Sequence, residues 1–145
     1  MYKRIPIATD GSHASDKAIA QGLALAKSLG IPVVAVTSTE IWSALDMQGP
    51  DGRERIARFE AASAEQAQKT LAAVSTAANA AGVSCSVVHV ADRSPAVAIV
   101  ETAEREGCDL IVMGSHGRRG VDRILLGSEA QRVLTHARCP VLVCR

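Results

Sequence analysis

Short apolar runs alternate along the chain with longer stretches in which apolar residues recur at i, i+3, i+4 and i+7. The runs predict five strands, at Arg4–Thr9, Pro32–Thr37, Ser84–Val90, Asp109–Met113 and Pro140–Cys144. The stretches between them predict helices, with inward stripes of Ile19, Gly22, Leu23 and Ala26, then Ala67, Leu71, Val74 and Ala78, then Ala96, Ile99, Val100 and Ala103, and last Ala130, Val133, Leu134 and Ala137. Gly30, Gly82 and Gly107 follow three of these stripes, where a left-handed residue ends a helix, and Ser94-Pro95 supplies an N-cap and a first-turn proline for the third. Strictly alternating strands and helices predict an α/β fold, a three-layer, doubly wound, Rossmann-like, five-stranded parallel sheet of order 3-2-1-4-5 with helices on both faces.

Two strands are apolar on both faces, Val33-Val34-Ala35-Val36 and Leu110-Ile111-Val112-Met113, as expected where helices cover both sides. Ser84 and Ser86 dilute the third, which belongs at an edge, and Pro6 conflicts with the first, since it cannot donate to a ladder. Between Glu40 and Arg53 no period is visible, and this stretch reads as a mobile excursion, functional or incidental. Nothing suggests an internal repeat or a linker, so residues 1–145 are expected to form one domain.

Composition narrows the class. Sixteen Lys and Arg against 15 Asp and Glu leave a net charge of +1, too little to hold a nucleic acid or an anionic membrane. Aromatics are 2% of the chain, so no base-stacking platform can be built, and no stretch is long and apolar enough to span a bilayer or resembles a signal peptide. Cys85, Cys108, Cys139 and Cys144 show no CxxC spacing and read as core thiols of a protein expected in the cytoplasm; Cys139 and Cys144 should face opposite sides of the sheet.

Chemistry concentrates in two loops. Gly114-Ser115-His116-Gly117-Arg118-Arg119-Gly120 follows the fourth strand, and Gly127-Ser128-Glu129 opens the last helix. Glycines let backbone N–H groups approach phosphate oxygens, and a helix N-terminus adds unpaired donors; a plain glycine turn closed by a Ser N-cap is the alternative. No Gly-Lys-Ser/Thr follows these glycines, and they come after the fourth strand rather than the first, which excludes the Walker and dinucleotide patterns. Thr9-Asp10-Gly11-Ser12 ends the first strand, and in this strand order both loops meet at the crevice between strands 1 and 4. Arg118, Arg119 and Arg123 offer guanidinium groups to a polyphosphate, Arg118 foremost; His13 and His116 read as solvated loop residues, His89 and His136 as structural, and Asp92 as turn chemistry.

Gly114-x2-Gly117-x9-Gly127-Ser128, Asp10-Gly11-Ser12, Val112-Met113-Gly114-Ser115-His116-Gly117 and Cys139-Pro140-Val141-Leu142-Val143 together resemble the universal stress protein family, in its ATP-binding branch, over essentially the whole chain. The resemblance implies an ATP clamp. Asp10 would hold the ribose or adenine end, backbone at Ala8, Thr9 and Thr37 would border the adenine, and Met113 would cover its apolar face. Gly114, Gly117, Gly127, Ser128 and the N–H of Glu129 would hold the phosphates, with Mg or Mn bridging them. Glu129 departs from the small apolar residue frequent there, and its carboxylate would weaken phosphate binding unless it turned to solvent or touched the metal.

The favoured function is a non-enzymatic, ATP-dependent regulator of the stress response, a homodimer paired through the exposed edge of Pro140–Cys144 and acting on a regulatory protein partner. A slow ATPase or phosphotransferase using the same pocket, and a dimeric scaffold without nucleotide, are the alternatives. Against the enzyme stands the shortage of carboxylates beyond Asp10 and Glu129.

Overall fold

The computed structural model describes residues 1–39, 44–116 and 125–145. Its elements run β1 (Ile5–Ala8), α1 (His13–Leu29), β2 (Val33–Ser38), a short 3₁₀ helix (Ala44–Met47), α2 (Gly52–Ala81), β3 (Cys85–Val90), α3 (Pro95–Arg105), β4 (Ile111–Gly114), α4 (Ser128–His136) and β5 (Val141–Cys144). The sheet is parallel throughout with order β3-β2-β1-β4-β5, so the diluted third strand does lie at an edge. Each strand starts or stops within two residues of its expected limits.

Two sheet faces carry separate cores. Ile5, Ile7, Val33, Leu110, Val112 and Cys144 pack with Ala18, Leu23 and Ala26 of α1 and Ala78 of α2. On the other face Ala8, Ile111 and Met113 meet Ala96, Ile99 and Ala103 of α3 and Ala130 and Val133 of α4. The near absence of aromatics is met by close approach: Gly22 of α1 lies so near β1 that a Cβ there would stand 2.7 Å from Ile7 Cδ1.

Pro6 is the second residue of the central strand and fully buried, within the first two positions where a strand can tolerate it. Ladder geometry explains how. The N–H of Ile5 donates to Pro32 O (3.2 Å) and that of Thr9 to Val36 O (2.9 Å), so odd residues of β1 address β2 and the missing donor of Pro6 addresses β4. β1 pairs with β2 at four positions but with β4 only at Ile7↔Val112.

The helix expectations need three corrections. α2 begins at Gly52 and runs 30 residues, absorbing the end of the Glu40–Arg53 stretch; its first half is exposed and polar, which is why no apolar stripe marked it. Leu134 is 45% exposed, because nine-residue α4 buries only Ala130 and Val133, and Ala137 lies beyond its end. Ile19 and Val100 are half-buried at the margins of their stripes. Gly30 and Gly82 close α1 and α2 in the left-handed conformation, and Gly107 follows α3 in the same conformation.

Cys144 alone of the four thiols is buried, on the α1 side; Cys139, half-buried just before β5, packs on the α3–α4 side, so the two do lie on opposite faces. Desolvation raises all four thiol pKa values, that of Cys108 to about 11. At the N-terminal pole of the sheet Asp109 accepts the N–H groups of Lys3 (2.9 Å) and Arg4 (3.3 Å) and fastens the chain start beneath β1. Among the described residues no helix is long and apolar enough to cross a membrane.

Candidate functional site

The carboxyl ends of β1, β2 and β4 open on a cavity of about 930 Å³, within the range of small-molecule sites. It lies at the topological switch point, since the helices following β1 and β4 leave on opposite faces. Ala8, Thr9, Asp10, Thr37, Met113, Gly114, Gly127, Ser128 and Glu129 all line it, so the residues singled out in the two loops do converge on one space. Gly117 and Arg118, with Arg119, Gly120 and Arg123, lie outside the described residues, as does Trp42.

The β1 side is braced by hydroxyls. Thr9 and Ser15, both buried, have their oxygens 3.0 Å apart. Ser15 donates to Ser12 O (2.8 Å) and Thr9 Oγ1 accepts the N–H of Gly11 (3.2 Å), which leaves the Thr9 hydroxyl to donate to Ser15. Gly11, at φ 76°, makes the turn that only a glycine enters cheaply. Asp10 Oδ1 accepts both the N–H (2.9 Å) and the hydroxyl of Ser12. Ser12 thus stands at the N-cap of α1 without capping it by its side chain. The N–H of Thr9 is committed to β2, so Thr9 has only its carbonyl to offer a ligand from the backbone.

Opposite, Gly127 is the N-cap of α4 and Ser128 its first residue, so the N-cap is a glycine, without a side chain to cap the helix, and not the serine of the plain-turn alternative. Gly127 is pressed against β4: its N–H donates to Ser115 O at 2.8 Å, and a Cβ would stand 2.8 Å from that same oxygen. Gly114 is nearly as confined, since a Cβ there would stand 3.2 Å from Ala14 O. The first N–H groups of α4 beyond Gly127 have no partner within the helix, and Ser128 and Glu129 both belong to the cavity wall.

Glu129 corrects its expectation most clearly. Its carboxylate, about a third exposed, is held by the protein itself: Oε2 accepts the N–H of Ala96 in α3 (2.7 Å) and Oε1 meets Arg132 (3.1 Å). Ser94, expected to cap α3 with its hydroxyl, makes no such bond. His116 lines the cavity and pairs with the Ser115 hydroxyl (3.0 Å), whereas His13 is fully exposed, bonded to Asp16 (2.8 Å), and not part of the wall. His89 and His136 are surface residues, His89 bonded to Thr39 Oγ1 from the neighbouring strand end (3.0 Å) and His136 to Arg132 O one turn earlier (2.8 Å). Asp92, the turn residue before α3, adopts φ 55° and does not line the cavity.

The wall also contains residues absent from the sequence expectations: Phe59, Ser63, Gln66 and Thr70 on one face of α2, and Arg93 before α3. Positions 59, 63, 66 and 70 follow helical spacing, but a mixed polar stripe resembles an ordinary solvated face until the helix start is known.

Comparison with known proteins agrees with this fold. A model of the Universal stress protein family matches residues 1–145. Universal stress protein MJ0531 of Methanocaldococcus jannaschii is 37% identical over 143 residues, 99% of this chain and 82% of that protein. The solved structure of hypothetical protein MJ0577 superposes with a TM-score of 0.84 at 27% identity, covering 99% of this chain and 96% of that one. A universal stress protein crystallised in complex with cAMP superposes with a TM-score of 0.73 at 24% identity, covering 99% of this chain and 97% of that one, which bears on the fold alone. A family match running end to end, on a sheet with the expected order and a cavity at its switch point, makes this chain a member of the universal stress protein family.

Proposed function

We propose that the cavity binds an adenine nucleotide, ATP foremost, and that the protein acts as a nucleotide-dependent regulatory homodimer of the stress response in the cytoplasm. The observation that carries this reading is the N-terminus of α4, whose N-cap Gly127 provides no side-chain cap and which sits on Ser115 O at the wall of a cavity of about 930 Å³. A relative in fold was crystallised in complex with cAMP, and this reading assigns a ligand of that class to the cavity here. In this reading Met113, Ala8, the Thr9 carbonyl and Thr37 border the base, Asp10 holds the ribose, and Gly114, Gly127, Ser128 and the N–H of Glu129 hold phosphate, joined by Gly117 and Arg118 through the glycine motif.

A divalent ion accompanying ATP would be held by the phosphates rather than by the protein. Among the described residues no group of three His, Cys, Asp or Glu could cage a metal, and Mg is often bound mainly through substrate phosphates. Among the described residues the carboxylates lining the cavity are Asp10 and Glu129, which accept from Ser12 and Ala96, and this favours binding over hydrolysis. Dimerisation falls to β5, which among the described residues pairs with β4 and ends the sheet; Leu142 and Leu134 are exposed at this end.

The test is to denature the protein as purified, identify released nucleotide by mass spectrometry, and titrate stripped protein with ATP, ADP and cyclic AMP. Stoichiometric ATP, lost in folded Gly117→Val or Ser128→Ala, is the expected result. No nucleotide recovered and none bound at millimolar concentration would replace this function with that of a scaffold. A monomeric mass at micromolar concentration would refute the dimer.

A further inference from the structure

α3 opens in a way its sequence does not announce. Ser94 occupies the N-cap and Pro95 the first helical position, yet the hydroxyl makes no capping bond. The donor it would have taken, the N–H of Ala96, is held instead by Glu129 from 33 residues away, at 2.7 Å. A carboxylate suits that place, because unpaired N–H groups and the helix dipole both favour negative charge there. Arg132, one turn further along α4, holds the second oxygen at 3.1 Å and keeps the carboxylate oriented.

Glu129 is also the second residue of α4, directly after Ser128. Its backbone belongs to the turn that faces the cavity, while its side chain is fastened to the first turn of α3, whose Ser94 and Pro95 line the same cavity. Moving one helix end therefore moves the other. We propose that Glu129 is a positioning residue, a strut from α3 that fixes the direction of the Ser128 and Glu129 N–H groups toward bound phosphate; the proposal rests on the nucleotide reading above.

Two roles for this carboxylate predict opposite signs. An anion facing the phosphates would repel them, so that Glu129→Gln and Glu129→Ala would both tighten ATP binding. A strut predicts that Glu129→Ala weakens ATP binding, whereas Glu129→Gln, whose amide oxygen can still accept from Ala96, retains most of it.

The experiment titrates the wild-type chain, Glu129→Ala and Glu129→Gln with ATP and with adenosine, and measures amide hydrogen exchange at Ala96 without ligand. Glu129→Ala is expected to weaken ATP about tenfold, to leave adenosine binding unchanged and to speed exchange at Ala96, with Glu129→Gln recovering most of each. Unchanged or tighter ATP binding in Glu129→Ala, or an equal loss for adenosine, would overturn the proposal. So would exchange at Ala96 that Glu129→Ala leaves unaltered. If wild-type protein binds neither ligand, the nucleotide reading and the phosphate role fail together, while exchange at Ala96 still reports separately on the strut.

Discussion

Replacing Gly127 by Ala tests how rigidly the α4 end is seated. The backbone there, at φ −60° and ψ 154°, is open to any L residue, so the obstacle is space and not conformation. A Cβ would stand 2.8 Å from Ser115 O and 3.5 Å from His116 Cα. The oxygen cannot readily retreat, because it accepts the Gly127 N–H and because the Ser115 N–H is itself bonded to Cys144 O at 2.8 Å. The first turn of α4 must therefore back away from β4. Overpacking of this kind costs about 1–3 kcal/mol, the strained Gly127–Ser115 bond about 1 kcal/mol more, and the lower unfolded-state entropy of Ala returns roughly 0.4–1 kcal/mol. The expected net loss is about 1–4 kcal/mol, read from urea unfolding followed by circular dichroism. Gly30→Ala is the control for conformation without crowding, since nothing lies within 4 Å of its Cβ but φ is +66°; it should lose about 1 kcal/mol. A Gly127→Ala midpoint and slope equal to wild type would refute the argument and show that the Ser115 seat yields freely.

Gly22→Ala should destabilise by about 1 kcal/mol in the same assay, because a Cβ 2.7 Å from the buried Ile7 Cδ1 forces repacking that outweighs the gain in helix propensity. For Asp109, burial would raise the pKa from 3.8, but the N–H groups of Lys3, Arg4 and Asp109 itself and the charge of Lys3 outweigh it, and the net shift is downward. A carboxyl lowered in the folded state adds stability above its unfolded pKa that is lost as pH falls through the folded value. Urea midpoints from pH 5 down to pH 2 should thus fall less steeply in Asp109→Asn than in wild type, and equal slopes would contradict the assignment. At pH 8 the Cys108 thiol, with its pKa of about 11 against 9.0 for an unshifted thiol, should hold about a hundredfold less thiolate and alkylate correspondingly slowly, as mass spectrometry of a timed iodoacetamide reaction would show.

What was legible in the sequence followed from repetition. Val33–Val36 and Leu110–Met113 announce strands covered on both faces, and Ala67, Leu71, Val74 and Ala78 define an inward stripe, because each repeats one environment at a fixed period. The loops at Asp10 and Gly127 were legible through residue type and through the strand order that brings them together. Side-chain bonds between elements distant in sequence were not. Nothing near Ser94 indicates that its capping role passes to Glu129, and nothing near Pro6 indicates that its missing donor faces the sparsely paired neighbour. Phe59, Ser63 and Gln66 enter the wall only because α2 starts as early as Gly52.

The proline in β1 bears on how the native sheet comes apart. With one register pair between β1 and β4, the two halves of the sheet are joined less by ladder bonds than by side chains packed across the seam, Ile7 and Val112 beneath α1 among them. Local opening follows the line that sacrifices the fewest bonds, so the amides of β4 should exchange through a sub-global separation of β3-β2-β1 from β4-β5, ahead of complete unfolding. The cavity straddles that line, with Ala8 and Thr9 on one bank and Met113 and Gly114 on the other. Any molecule lodged there and gripping both banks closes the cleavage plane of its own host, and the free energy it gains on binding is added to the cost of parting the halves.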